Sequence, residues 1–201
     1  MHGLIGRALE CFLKDMHGGG LCAAALRRAD LPADGFRSTR QYPVSAVQGA
    51  LREASAVLGL PVEALLTDLG VWIVSRKRNE PLRRLVRFGG GDFRGFLYSL
   101  EDLPARGRLA MPDLELPRIA LRDGAPSYEI RTQYKGCGAG WVLCGLLRGM
   151  ADDYGALAVV EHRGIERRKG VCTERVSVEI ADDAHSAGRG FELAPEWKGA
   201  A

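Results

Sequence analysis

The sequence predicts an α+β fold, with a helical N-terminal lobe over about residues 1–90 and an α/β lobe over about 91–182. Three observations carry this. Apolar residues recur at steps of three and four through roughly the first hundred positions. After Pro117 the period changes to two. One further helical stretch, WVLCGLLRGMADDYG, then separates two pairs of alternating segments, which gives a sheet of about four antiparallel strands. Residues 183–201 form a tail without a clear pattern.

The elements follow in order. Leu4, Ile5, Ala8, Leu9, Phe12, Leu13 and Met16 mark an amphipathic helix that starts almost at Met1 and is stopped by Gly18, Gly19 and Gly20. LCAAALRRADL reads as a second, short helix, followed by the turn-rich LPADGFRSTRQYP. Ser45 suits the N-cap of AVQGALREASAVLG, which Gly59 ends. Pro61 suits the first turn of VEALLTDLGVWIVSR. EPLRRLVRFGG is helical with Leu82, Leu85 and Val86 inward. Asp92 can cap the next helix, whose apolar face is Phe96, Leu97, Leu100 and Leu103. Pro104 should stop that helix at Leu103, because the residue before a proline avoids the helical region. RIALR and YEIRTQY make a β-hairpin around RDGAPS. KGCGAG is a glycine-rich break, and Gly155 stops the helix after it. ALAVVEHRG and VCTERVSVEIAD are strands joined by a basic turn.

Composition narrows the function classes. At 46% hydrophobic and 26% charged residues, the chain has an ordinary soluble core. A net charge of +3, with no basic run longer than Arg167–Lys169, gives no nucleic-acid partner. Five cysteines without a CxxC pair argue for reduced thiols and against a disulfide frame or structural zinc. No run of about 18 apolar residues could span a membrane, and Arg7, Glu10, Lys14 and Asp15 interrupt the first apolar stretch where a signal peptide would lie. The expected location is cytoplasmic. Nucleophile elbow, P-loop and HExxH patterns are all missing, so no enzyme is expected. The group Asp152, Asp153, Glu161 and His162 could suggest acid/base chemistry, but Asp152 and Asp153 fall late on a helix and should face solvent.

Local sequences point further. MHGLIGRALECFLKD, LGLPVEALLTDLGVWIVS, FLYSLEDLPARGRLAMPDLELP and GLLRGMADDYG resemble the haem-NO/oxygen-binding family (H-NOX, HNOB), in the family's order and over roughly residues 1–180. The resemblance implies haem b held between the two lobes and a sensor of NO or O₂. It implies a signalling partner acted on in trans, a histidine kinase or a cyclic-dinucleotide enzyme in bacteria; the animal members sit in soluble guanylate cyclase. It places Ile5 and Leu9 on the distal face of the haem, and Leu100, Pro104 and Tyr134 at further pocket positions. Two family motifs hold the cofactor, a proximal histidine in L-x-x-L-H-A-R and propionate-binding side chains in Y-x-S-x-R.

The chain departs from both. Its first phrase is L-E-D-L-P-A-R, so Pro104, which has no donor atom, stands at the iron ligand's place. The second falls near TQYKGCG. Begun at Tyr134 it puts Gly136 and Gly138 at the serine and arginine places, and begun at Thr132 it still lacks the arginine. Haem iron also accepts other donors. His2, His17 and His185 read as flanking or solvated residues, and His162 as a strand-end surface residue. Cys137 in the glycine break is a candidate thiolate, Cys144 reads as core, and Met111 and Tyr98 read as packing residues. Trp72 is large enough to fill porphyrin volume. Two readings result: a haem-NO-binding sensor with unusual ligation, and a haem-free regulatory module that keeps the fold and binds another apolar ligand.

Overall fold

The computed structural model describes residues 1–32, 34–76, 79–87, 89–124 and 126–190. Helix α1 (Gly3–His17) begins where His2 accepts the Leu4 amide on Nδ1, so a histidine serves as the N-cap. It ends at Gly18, whose φ of 91° a side chain would resist. The three-glycine run is therefore not one stop: α2 (Gly19–Arg28) starts at once. α3 (Val44–Leu58) is preceded by Pro43 rather than capped by Ser45, and it ends on Gly59 in the left-handed region. α4 (Val62–Ser75) follows Pro61. In α5 (Glu80–Arg87), Val86 is buried but Leu82 is 41% exposed, so that helix is less inward than its pattern suggested.

Asp92 caps α6 (Phe93–Ser99) as expected, its Oδ1 accepting the Gly95 amide at 2.6 Å. Pro104 does not end the helical path. A 3-10 turn, Leu100–Asp102, leads into α7 (Leu103–Ala110), and Pro104 occupies its first turn. Leu103 keeps right-handed helical dihedrals (φ −55°, ψ −41°) although a proline follows it. The first turn has no use for the missing amide, which removes the reason for a stop.

β1 (Arg118–Gly124) and β2 (Ser127–Tyr134) form the expected hairpin. α8 (Ala139–Tyr154) ends on Gly155 at φ 78°. β3 (Leu157–Arg168) and β4 (Val171–Asp182) complete an antiparallel sheet in the order β1-β2-β4-β3. Tyr128, Ile130 and Thr132 of β2 point inward with Val176, Val178 and Ile180 of β4.

Two apolar cores result. One gathers Leu9, Phe12, Leu13, Phe36 and Trp72 among the first helices. The other gathers Phe96, Leu97, Leu100, Leu147 and Met150 against the sheet. Ile73 of α4 packs against both. The helix α4 crosses α8 with backbone touching backbone: a Cβ on Gly145 would lie 1.8 Å from the Thr67 carbonyl oxygen, and one on Gly70 2.1 Å from that of Val142. This seam joins the lobes.

Among the described residues no single helix is long and apolar enough to cross a membrane. The expectation of reduced thiols fails at one place: Cys137 and Cys172 are joined in a disulfide, with Cα atoms 5.3 Å apart. The β2–β4 register sets Tyr134 opposite Cys172, so the glycine break that follows Tyr134 brings Cys137 to the start of β4. Sequence spacing, 35 residues with no CxxC, gave no hint of it.

Candidate functional site

Between the lobes lies a cavity of about 750 Å³. Elements of both lobes contribute to its wall: Leu4, Ile5, Ala8 and Cys11 of α1, Trp72 and Ile73 of α4, and Leu82, Leu85 and Val86 of α5. Leu103 and Pro104 come from α7, Met111, Leu114, Leu116 and Pro117 from the following loop, and Ile119 and Thr132 from the hairpin. Ala139, Val142, Leu143 and Leu146 of α8 close it. The size falls within the range of roughly 300–1,000 Å³ usual for small-molecule sites. A second cavity of about 250 Å³ adjoins it, sharing Ile5, Ala8, Ile73 and Val142, and reaches Leu9, Tyr134 and Cys137.

Of the pocket positions drawn from the sequence, Ile5 and Pro104 line the large cavity, and Ile5, Leu9 and Tyr134 line the small one. Leu100 lines neither; it is fully buried in the sheet-side core. Tyr134 donates its hydroxyl to the Glu115 carbonyl at 3.1 Å, and burial pushes its pKa up. Trp72 stands in the wall rather than filling the cavity, with its indole N–H given to Asp15 at 2.7 Å.

The wall is almost wholly apolar, and two of its polar groups already have partners. Asn79 donates to the Trp72 carbonyl at 2.9 Å. Arg7 reaches Glu10 at 2.9 Å. Glu10 is 2% exposed and also takes Lys14 at 2.6 Å and the Phe36 amide at 3.2 Å. Burial pushes the Glu10 carboxyl up, but Lys14, the Phe36 amide and Arg7 together outweigh it and hold it below the usual carboxylate range. Thr132 is the exception. It is 2% exposed, and its Oγ1 has no hydrogen-bond partner among the described residues.

The apolar wall fits the body of a porphyrin, but the family's means of holding haem do not fit here. Pro104 is buried in the wall and offers no donor. Among the described lining residues of the large cavity, the atoms of kinds that bind haem iron are the sulfurs of Cys11 and Met111. Cys137 is excluded as a thiolate because its sulfur is bonded to Cys172. Cys144 is 1% exposed, and burial pushes its thiol up to about 11. Tyr98 lies outside, 47% exposed, donating to Asp123. Gly136 and Gly138 supply no cation, and Arg7 is engaged by Glu10.

Two side chains sit where the sequence did not put them. His162 is not a strand-end surface residue. It lies within β3 beside a bulge, its side chain 6% exposed, stacked on Trp141 at 4.1 Å and 3.1 Å from Glu174 Oε2. The other oxygen of Glu174 accepts the Gly138 amide at 2.7 Å, which fixes the start of α8. Asp153 does not face solvent, although Asp152 does. Asp153 is 1% exposed and takes Arg83 and Arg87 of α5, each at 2.7 Å. So Asp152, Asp153, Glu161 and His162 form no acid/base cluster. Among the described residues, no group of three His, Cys, Asp or Glu side chains could hold a metal ion. The residues missed by sequence reasoning are Thr132 as a wall residue and the loop 111–117. An apolar run of Met111, Leu114 and Leu116 among prolines was the available signal.

The family model described as haem-NO-binding (HNOB) matches residues 2–162. Solved H-NOX domains share the fold. A variant of the Cs H-NOX domain carrying 4-cyano-L-phenylalanine aligns at TM-score 0.76 and 15% identity, covering 93% of this chain and 100% of that one. A mutant of the T. tengcongensis H-NOX domain aligns at 0.75 and 16%, covering 91% and 99%. An oxygen-binding H-NOX domain related to soluble guanylate cyclases aligns at 0.68 and 15%, covering 94% and 100%. Among curated proteins, none matches the chain in sequence.

Proposed function

This chain belongs to the haem-NO-binding family, whose members are sensor domains rather than enzymes, and from that premise we propose that it holds its sensed ligand in the inter-lobe cavity and regulates a separately encoded signalling partner. The observation that carries this is the 750 Å³ apolar cavity with walls drawn from both lobes. A ligand there touches α1, α4, α5, α7, the hairpin and α8 at once, so its arrival changes how the lobes sit against each other. The partner fitting this reading is a histidine kinase or a cyclic-dinucleotide enzyme, as the family resemblance implies, and the cytoplasm is the location proposed for both. The domain runs over 1–182 with its lobes divided near residue 90.

Haem b is the family's ligand, and cavity size, apolar wall and family membership support it. Pro104 in the wall favours a second reading, in which the same cavity holds an apolar ligand with no bond to iron. Ile5, Leu9, Pro104 and Tyr134 are pocket residues in both.

Titration of the purified full chain with hemin, read by absorbance, separates the two. A stoichiometric, shifted Soret band that responds to NO establishes the haem reading, and its loss in Cys11→Ser or Met111→Leu identifies the ligand. No such band, together with saturable binding of a neutral aromatic such as naphthalene, establishes the second. If neither hemin nor naphthalene binds, the cavity is not a ligand site and the sensor reading falls.

A further inference from the structure

On the second of these readings, we infer that the inter-lobe cavity is a site for an uncharged apolar molecule carrying one hydroxyl or carbonyl group, recognised by Thr132. The inward face of β2 runs Tyr128, Ile130, Thr132, each nearly or fully buried. At the third position packing alone asks for valine, which has the same shape without the polar atom. Thr132 instead carries a hydroxyl into the wall of an apolar cavity and gives it no partner among the described residues. Burying a hydroxyl unsatisfied is unfavourable, and buried polar groups are as a rule bonded. Of the described side chains with a buried, unpartnered polar atom, Thr132 is the one that lines this cavity. A ligand that reaches it restores the missing bond.

The rest of the wall sets the ligand's charge. Among the described lining residues the one cation is Arg7, and it is already turned to Glu10 at 2.9 Å with its side chain 45% exposed, so a carboxylate inside would meet no unengaged cation among them. The Asn79 amide is given to the Trp72 carbonyl. A buried charge without a counter-ion is strongly disfavoured, so an anionic ligand is rejected while a neutral one is not. A threonine hydroxyl both donates and accepts, so a ligand hydroxyl or carbonyl satisfies it equally. No iron is needed, which agrees with proline at residue 104.

The test is calorimetric titration of the full chain with naphthalene, 2-naphthol and 2-naphthoate, repeated on Thr132→Val and Thr132→Ser. Wild type should bind 2-naphthol about 2- to 10-fold more tightly than naphthalene, the worth of one neutral hydrogen bond, and should bind 2-naphthoate weakest. Thr132→Val should erase the naphthol advantage and leave naphthalene affinity unchanged, while Thr132→Ser retains the advantage. The valine variant should melt no lower than wild type, since it removes an unsatisfied group. A lower melting temperature would show a structural partner for the hydroxyl and overturn the inference. So would equal affinities for naphthalene and 2-naphthol in wild type, or stoichiometric hemin binding with a shifted Soret band. In those last two cases the cavity still takes a ligand and the sensor reading stands. Failure of all three naphthalenes and of hemin removes both.

Discussion

Glu10 shows how much a single residue can hide from its sequence. In the first helix it looks like one more charge on a solvated face, yet it is 2% exposed and tied to Arg7, Lys14 and the Phe36 amide. Two of those partners, at i−3 and i+4, are legible by helical spacing. The third, 26 residues away, is not. Its folded pKa is depressed, so its contribution is present above the ordinary carboxylate value and is lost as pH falls through the folded one. Glu10→Gln should therefore be less stable than wild type at pH 7 by about 1–3 kcal/mol. The gap between the two proteins should begin to close as pH falls to about 4, where the unfolded carboxylate takes up its proton, and should vanish once the folded carboxylate is protonated too. Thermal melts of both from pH 7 to pH 3 check this; a gap that stays constant across the range would show that Glu10 acts through shape alone. Thr132, His162 and Asp153 escaped sequence reading for a related reason. Their identities mattered only through a cavity or through partners distant in the chain.

At the level of elements, what was legible is what is encoded locally. The switch of apolar period after Pro117 gave the hairpin, and Gly155 gave the end of α8, because both depend on a few neighbouring residues. The restart at Pro104 was missed because the same proline that breaks a helix interior is accommodated in a first turn; the sequence does not say which turn it enters. The α4–α8 crossing was also silent. Gly70 and Gly145 carry no local mark of their role in the sequence, yet each lets one backbone touch the other. Gly145→Ala must push the helices apart by more than a side chain can absorb, since the obstructing atoms are the Thr67 carbonyl and the Val71 amide. A loss of about 1–3 kcal/mol or more is expected. Chemical denaturation should show a lower midpoint with an unchanged slope. The exposed Gly20, with nothing within 4 Å of its would-be Cβ, serves as the control: Gly20→Ala should be neutral or stabilising.

For the whole molecule, the two lobes were legible from residue pattern, whereas the space between them was legible only through the family resemblance, because a cavity belongs to no single segment. Asp153 illustrates the long-range ties around it. It joins α8 to Arg83 and Arg87 of α5, and those arginines also reach the carbonyls of Gly190 and Arg189. Residues 183–190 of the segment that read as a patternless tail are thus tied to the helix that forms one side of the cavity; the rest of that segment, 191–201, lies outside the described residues. Asp153→Asn removes the carboxylate that two nearly buried guanidinium groups share, and should cost about 3–5 kcal/mol. The α5 face of the cavity should loosen with it, so hydrogen exchange of residues 82–86 should accelerate more than that of β4. A ligand that contacts both lobes should act in the opposite sense. At a free concentration 100 times its Kd it stabilises the folded state by about 2.7 kcal/mol. For a domain of about 200 residues that raises the melting temperature by roughly 5–10 °C. Because the wall draws on α4 and α8 alike, tryptophan fluorescence and far-UV circular dichroism should shift together by the same amount. A shift in one signal alone would mean that the ligand grips one lobe and leaves the other unaware of it, which the geometry of the wall does not allow.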